Sequence, residues 1–185
     1  MRAVVVYESI YGNTRAVAEA IAEGIREVGE TGEVEVLPVS TAAPAALSDA
    51  QLVVVGGPTH MHGLSTELSR RSAAQAASED GHHTTLDPDA TTGPGLRAWL
   101  SALPHSERSA AAFDTRLDRS ALLTGTAARG IARRLRRHGY AIVADPESFF
   151  VTESEGPLED DELTRARTWG AALAARVSQR SNAGA

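Results

Sequence analysis

Val4 to Val17 reads VVVYESIYGNTRAV, and the change of character inside this stretch decides the fold. The run from Ala3 to Tyr7 is continuously apolar or β-favouring, which predicts a strand covered on both faces, as in a parallel sheet. From Thr14 onward Val17, Ala20, Ile21, Gly24, Ile25 and Val28 recur at helical spacing, with Gly29 as a stop. Between strand and helix lies a short loop of hydroxyls, an amide and one glycine, Ser9-Ile10-Tyr11-Gly12-Asn13-Thr14. A helix start presents unpaired backbone N–H groups, and glycine lets backbone approach a ligand closely, so this loop is a candidate anion site. The plainer alternative is that Thr14 caps the helix and Gly12 makes the turn.

The same alternation continues along the chain. Glu33 to Val39 reads as a second strand, and Gln51 to Gly57, QLVVVGG, as a third, followed by the loop PTHMHG from Pro58 to Gly63. A helix is expected from Leu64 to about Ala77. Ser78 to Gly95 is rich in turn formers and lacks periodicity, so 78–95 is expected as an exposed excursion. Leu96 to Leu103 reads as a short helix. Ser109 to Thr115, SAAAFDT, is a weak, alanine-rich strand accepted because the alternation requires one there. Thr126 to His138 sets Ala128, Ile131, Ala132 and Leu135 opposite a row of arginines, and Tyr140 to Val143 and Ser148 to Val151 follow as extended segments. The last helix is expected to start within Glu159 to Glu162, where acids suit the positive end of a helix dipole. Its core stripe would be Leu163, Ala166, Trp169, Gly170, Leu173 and Val177. Strands alternating with helices imply a parallel sheet with helices on both faces.

Composition bounds the function. A chain of 185 residues suits one domain, expected over 1–178 with 179–185 as a flexible tail. Apolar content of 42% and charged content of 23% are those of a soluble globular protein. A formal net charge of -6 argues against nonspecific nucleic-acid binding. Neither a signal-peptide core nor a membrane span is visible, and with no cysteine the expected setting is the cytoplasm. Every basic residue is arginine; there is no lysine, no GK[ST] ending for a nucleotide-hydrolysing loop, and no G-x-G-x-x-G. His82-His83 has no further ligand cluster, so no metal site is expected. Trp99 and Trp169 sit in helical patterns and are expected in the core. The cluster Arg129, Arg133, Arg134, Arg136 and Arg137 reads first as a solvated helix face, with a docking patch as the alternative.

SIYGNT after the first strand and GPTHMHG after the third resemble the flavodoxin-like family of FMN proteins, over Met1 to about Val177. The resemblance implies a three-layer α/β sandwich around a five-stranded parallel sheet of order 2-1-3-4-5. It implies FMN as cofactor, with its phosphate wrapped by Ser9, Ile10, Tyr11, Gly12, Asn13 and Thr14. The ring would be flanked by Pro58, Thr59, His60, Met61, His62 and Gly63, and by Asp114, Thr115, Arg116 and Leu117. Asp114 is equally readable as a carboxylate that caps a loop. Where many flavodoxins place stacking aromatics, the second loop has His60, Met61 and His62, and Tyr11 replaces a threonine or serine of the short electron carriers. No catalytic nucleophile is required, and His60, His62 and Arg116 would act by proton supply or electrostatics. The expected function is one- or two-electron transfer with a redox protein or a small molecule as partner, and with no nucleic acid or membrane. An NAD(P)H- or quinone-linked FMN reductase, and a flavin-free interaction module, remain as alternatives.

Overall fold

The computed structural model describes residues 1–28, 33–60, 63–65, 70, 86–119, 125–153 and 156–183. The chain runs β1 (Ala3–Tyr7), α1 (Asn13–Glu27), β2 (Val34–Pro38), a 3-10 turn (Pro44–Leu47), β3 (Leu52–His60) and β4 (Gly63–Leu64). It continues through α2 (Leu96–Ser101), β5 (Ser109–Leu117), α3 (Ala127–Arg137), β6 (Ala141–Ile142), β7 (Glu147–Val151) and α4 (Glu162–Ala183). The helix expected from Leu64 to Ala77 falls almost wholly outside the described residues, as do His82 and His83. Among the described residues no helix is long and apolar enough to cross a membrane.

The sheet has seven strands in the order β2-β1-β3-β5-β6, with β4 on β3 and β7 on β5. This is the expected 2-1-3-4-5 path with two additions. Residues 58–60, expected as loop, extend β3: Pro58 pairs with Thr115 of β5, and Thr59 and His60 pair antiparallel with Leu64 and Gly63. The fifth position is shared by β6, beside Ser109 and Ala110, and β7, beside Phe113 to Leu117. Pro146 lies between them; a residue with no N–H and a fixed φ interrupts a ladder.

All five residues of β1 are buried, and alternation divides them between two cores. Val4 and Val6 join Val53, Val55, Ala110 and Ala112 under Leu96, Trp99 and Leu100 of α2 and Ile131 and Leu135 of α3. Ala3, Val5 and Tyr7 join Leu52, Val54, Ala111 and Phe113 under Val17, Ile21 and Ile25 of α1 and Leu173 and Val177 of α4. Trp99 is core as expected, its Nε1 donating to the Ala42 carbonyl at 2.6 Å. Trp169 is half-buried and meets Phe113 and Phe149 edge to face. Leu163, expected in the core stripe, is 46% exposed, because the helix turns it outward at the start of α4. The helix itself continues past Gln179 to Ala183, where the sequence predicts a tail.

α1 and α4 approach closely enough that a Cβ on Gly24 would run into the Arg167 carbonyl, and one on Gly170 into that of Ile21. Both obstacles are backbone, so they cannot swing aside. Gly24→Ala and Gly170→Ala are each expected to cost about 1 to 3 kcal/mol, which lowers the melting temperature by roughly 2 to 12 °C for a chain of this size. Unchanged melting of both variants in calorimetry would mean that the two helices do not pack this tightly.

Candidate functional site

At the carboxyl edge of the parallel sheet, where ligands bind in open α/β sheets, the loop from β1 to α1 lies beside the carboxyl-terminal parts of β3 and β5. In this first loop Ser9 and Ile10 are buried, and Gly12 holds φ +89°, the left-handed conformation that favours glycine, at the N-cap position of α1. Gly12 N donates to Ser9 Oγ at 3.1 Å. Thr14 is therefore inside the helix and does not cap it. Asn13 Nδ2 donates to the Gly156 carbonyl at 2.7 Å, and the Thr14 and Thr115 hydroxyls share a 2.7 Å hydrogen bond. Among the described residues those contacts leave donors to spare: the Ser9 hydroxyl hydrogen, the second amide hydrogen of Asn13, and one hydrogen of the Thr14–Thr115 pair, since only one of two hydroxyls donates to the other.

The N-termini of α1 and α3 differ in kind. In the first turn of α3, Ala127 N donates to Thr59 Oγ1 (2.8 Å), Ala128 N to Asp114 Oδ2 (2.9 Å) and Arg129 N to Thr126 Oγ1 (3.1 Å). α1 has no side-chain cap. Its first N–H groups, those of Asn13, Thr14 and Arg15, point along the positive end of the helix dipole at the edge of the sheet. Arg15 stands beside them: its Nη2 is 4.0 Å from where a Cβ on Gly12 would be, and its Nε is 3.4 Å from Asp87 Oδ2.

Asp87 belongs to the stretch expected as an exposed excursion. The start of its described part, Leu86 to Ala90, returns to the protein, while Thr91 to Pro94 are exposed as expected. Asp87 and Ala90 are buried, and Asp87 N donates to the Ile10 carbonyl at 2.7 Å. The turn formers are used in turns, but the turns lie against the first loop and Ser40, whose hydroxyl reaches Asp89 Oδ1 at 3.1 Å. Burial and the negative field of Asp87, partly offset by Arg15, push the Tyr7 hydroxyl up to about 12, so it stays protonated.

The remaining expected residues divide by direction. Pro58 and Thr59 lie in β3. Thr59 is engaged on the α3 side, donating to Asp114 Oδ2 at 2.8 Å. His60 and Gly63 pair through their backbones; the His60 side chain and the whole of Met61 and His62 lie outside the described residues. Asp114 is fully buried beneath the start of α3, the capping geometry left open by the sequence. Its Oδ1 has the Ser148 hydroxyl as a polar neighbour but no hydrogen bond of good geometry. Thr115 faces the other way, toward α1. Arg116 neither pairs with Asp114 nor stands free: it donates to Ser148 Oγ (3.1 Å) and to the carbonyls of Leu117 (3.0 Å) and Arg119 (2.6 Å), with its guanidinium 5.0 Å from the centre of the Phe150 ring. Leu117 ends β5 opposite Val151.

Sequence reasoning missed Glu8, Arg15 and Asp87. Glu8 is buried next to the first loop, where it accepts from the Ser65 hydroxyl and from Leu96 N (3.3 Å) and pairs with Arg70 Nε at 3.6 Å. Its signal was a charge directly after a fully buried strand. Arg15 and Asp87 carry no such signal, because one sits among ordinary helix-surface residues and the other among turn formers. Among the described residues no group of acids and histidines is placed to hold a metal.

The flavodoxin family model matches residues 5–111. The chain belongs to the flavodoxin family. FMN is the cofactor that goes with that membership, and an uncapped helix start beside a guanidinium fits its terminal phosphate. An archaeal flavodoxin is 22% identical with a TM-score of 0.63, covering 96% of this chain and 99% of that one. Flavodoxin 1 from Bacillus cereus is 20% identical with a TM-score of 0.62 over 94% and 97%. A WrbA-like flavodoxin from Agrobacterium tumefaciens is 22% identical with a TM-score of 0.59 over 96% and 98%. At these identities the likeness is one of fold. No curated protein matches the chain significantly.

Burial raises the Asp114 carboxyl above its ordinary value of 3.8, against the opposing pull of the Ala128 and Thr59 hydrogen bonds and the Arg116 charge. A carboxyl whose folded pKa is raised gives its full stabilisation below about pH 3.8 and loses it as pH rises through the folded value. Asp114→Asn keeps an acceptor for Ala128 N without the charge. Relative to wild type it should therefore gain stability steadily as pH rises from about 4, as read by urea unfolding across pH. Asp114→Ala, which leaves a buried N–H unpaired, should cost about 1 to 3 kcal/mol. A pH-independent difference between wild type and the Asn variant would contradict the raised pKa.

Proposed function

We propose that this chain is an electron carrier that holds FMN noncovalently across the carboxyl edge of its sheet. The observation that carries the reading is the contrast between the two helix starts: α3 has its first-turn donors capped by side chains, and α1 has no side-chain cap. In the proposed site the backbone of Ser9 to Thr14 and the spare hydrogens of Ser9, Asn13 and Thr14 bind the phosphate. Arg15, oriented by the buried Asp87, adds a charge at the rim. The segments 58–63 and 114–117 border the ring, with Thr59 and Asp114 supporting from below and Thr115 tying the third segment to the first. Bound FMN supplies one- or two-electron redox chemistry; the protein contributes binding, orientation and exclusion of water. No side chain is assigned a covalent role. The absence of cysteine suits a reducing cytoplasm.

A titration monitored by flavin fluorescence tests the site. FMN is expected to bind more tightly than riboflavin, which lacks the phosphate, and more tightly than FAD. Equal affinity for FMN and riboflavin would sink the phosphate assignment. Rapid reduction of the bound flavin by NADPH alone would place the protein with the reductases.

Two variants resolve the contributions. Thr14→Ala removes a hydroxyl but no cap, so FMN affinity should fall by about 1.5 to 3 kcal/mol, the size of a charge-assisted hydrogen bond, while the apo-protein still melts cooperatively. Arg15 is 42% exposed, and solvent screening reduces its share. Arg15→Gln should weaken FMN by only about 1 kcal/mol and leave riboflavin unaffected. Equal losses for both ligands would mean that Arg15 acts on the fold and not on the phosphate.

A further inference from the structure

α3 differs in charge from the rest of the molecule. Its sequence AARGIARRLRR carries Arg129, Arg133, Arg134, Arg136 and Arg137 and no carboxylate, on a chain of formal net charge -6. Ala127, Ala128, Ile131, Ala132 and Leu135 are buried. Arg129, Arg133, Arg136 and Arg137 are exposed, and their spacing of i, i+4, i+7 and i+8 puts them on one outward stripe. Arg2, Arg15, Arg70, Arg165 and Arg167 each lie within 4.0 Å of a carboxylate. Among the described residues no arginine of α3 does.

Helix stability explains only part of this pattern. Arg134, Arg136 and Arg137 in the last turn suit the negative end of the dipole. Arg129 stands in the first turn, where a cation is unfavourable, and the i, i+4 pairs 129–133 and 133–137 repel. Arg97 of α2 adds to the crowding: burial first, and then the charges of Arg97, Arg133 and Arg137, hold the Arg134 pKa below its ordinary value. The stripe also starts where the ligand edge ends, because Ala127 N and Ala128 N are bonded to Thr59 and Asp114. From there it runs about 12 Å, eight residues at 1.5 Å each.

We propose that the arginine stripe of α3 is the docking surface for an acidic electron-transfer protein, which it holds against the edge of the sheet where the flavin is placed. This rests on the carrier reading given above. One electron passes at a time between the partner's redox centre and the flavin: one side is oxidised as the other is reduced, and no bond is made or broken. A lipid surface suits the stripe less well, because it carries no exposed large apolar side chain; among the described residues only Leu163, on α4, is one. A nucleic acid suits it less well because a polyanion would meet the negative remainder of the protein.

The test uses the full chain with excess FMN, a plant-type [2Fe–2S] ferredoxin as the acidic probe and cytochrome c as the basic control. Association is measured by calorimetry at about 10 mM and about 150 mM ionic strength, where the screening length is ~30 Å and ~8 Å. Ferredoxin should bind at low salt and weaken at the higher. Arg129→Gln/Arg133→Gln/Arg136→Gln should lose affinity roughly tenfold or more and slow electron exchange with ferredoxin, while its melting and FMN affinity stay as in wild type. Wild type and variant binding ferredoxin equally, or wild type preferring cytochrome c, would overturn the proposal. So would uptake by phosphatidylserine-containing vesicles with the same dependence on the arginines, which would assign the stripe to lipid. FMN binding is read separately: a chain that takes no flavin but binds ferredoxin through these arginines would retire the carrier reading and keep the docking face.

Discussion

Asp114 and Thr115 are neighbours on β5, and a strand sends neighbouring side chains to opposite faces. The arrangement of the candidate site depends on that alternation. Asp114 goes down to the first turn of α3, and Thr115 goes up to Thr14 in the first turn of α1. A slip of one residue would exchange them. A carboxylate would then face the uncapped start of α1 and compete there with any bound anion, while α3 would lose its acceptor. The register is held against such a slip on both sides, by Gly57 opposite Asp114 and Pro58 opposite Thr115 on β3, and by Ser148 opposite Asp114 on β7.

The same alternation explains why one helix start is closed and the other open. α3 spends three side-chain acceptors, from Thr59, Asp114 and Thr126, on its first turn. α1 forgoes a cap, at a local cost of about 1 kcal/mol, although Ser9 is close enough to bond Gly12 N. Local rules are broken most often where a ligand restores the balance, and in the proposed reading the start of α1 is such a place.

The parts of the fold legible in the sequence are those with strong periodicity. β1 was readable to the residue because five consecutive buried positions leave no polar boundary to misplace, and α1 and α3 because their apolar stripes recur at one spacing. β3 was read short, since Pro58 to His60 look like a loop and become strand only by pairing with β4 and β5. The candidate site was legible as a set of neighbouring segments but not as a set of directions. Nothing in SAAAFDTRL states that Asp114 and Thr115 serve different helices, or that Arg116 turns back onto the Leu117 and Arg119 carbonyls. Those outcomes depend on sheet register, a nonlocal quantity. Asp87 was hidden for a related reason: turn formers fix how the chain bends and say little about what the bend packs against.

Charge at the edge follows from the same placements. Glu8, Asp87 and Asp114 are buried, and three buried carboxylates would ordinarily repel an incoming phosphate. Two of them face a guanidinium, Glu8 that of Arg70 and Asp87 that of Arg15; Asp114 has the Ala128 N–H and the Thr59 hydroxyl, and its burial favours the neutral form. A paired charge projects a dipolar field, which decays faster than that of an isolated charge. The potential at the first loop is then set by what lies nearest to it, the first-turn N–H groups of α1, which have no side-chain cap, and the outer edge of Arg15. More distant surface acids are screened beyond ~8 Å at physiological ionic strength. A chain of net charge -6 can therefore present a locally positive pocket. The ion pair with Asp87 also narrows the range open to the 42% exposed Arg15 side chain, so that less rotamer entropy is lost on binding than for an unpaired arginine.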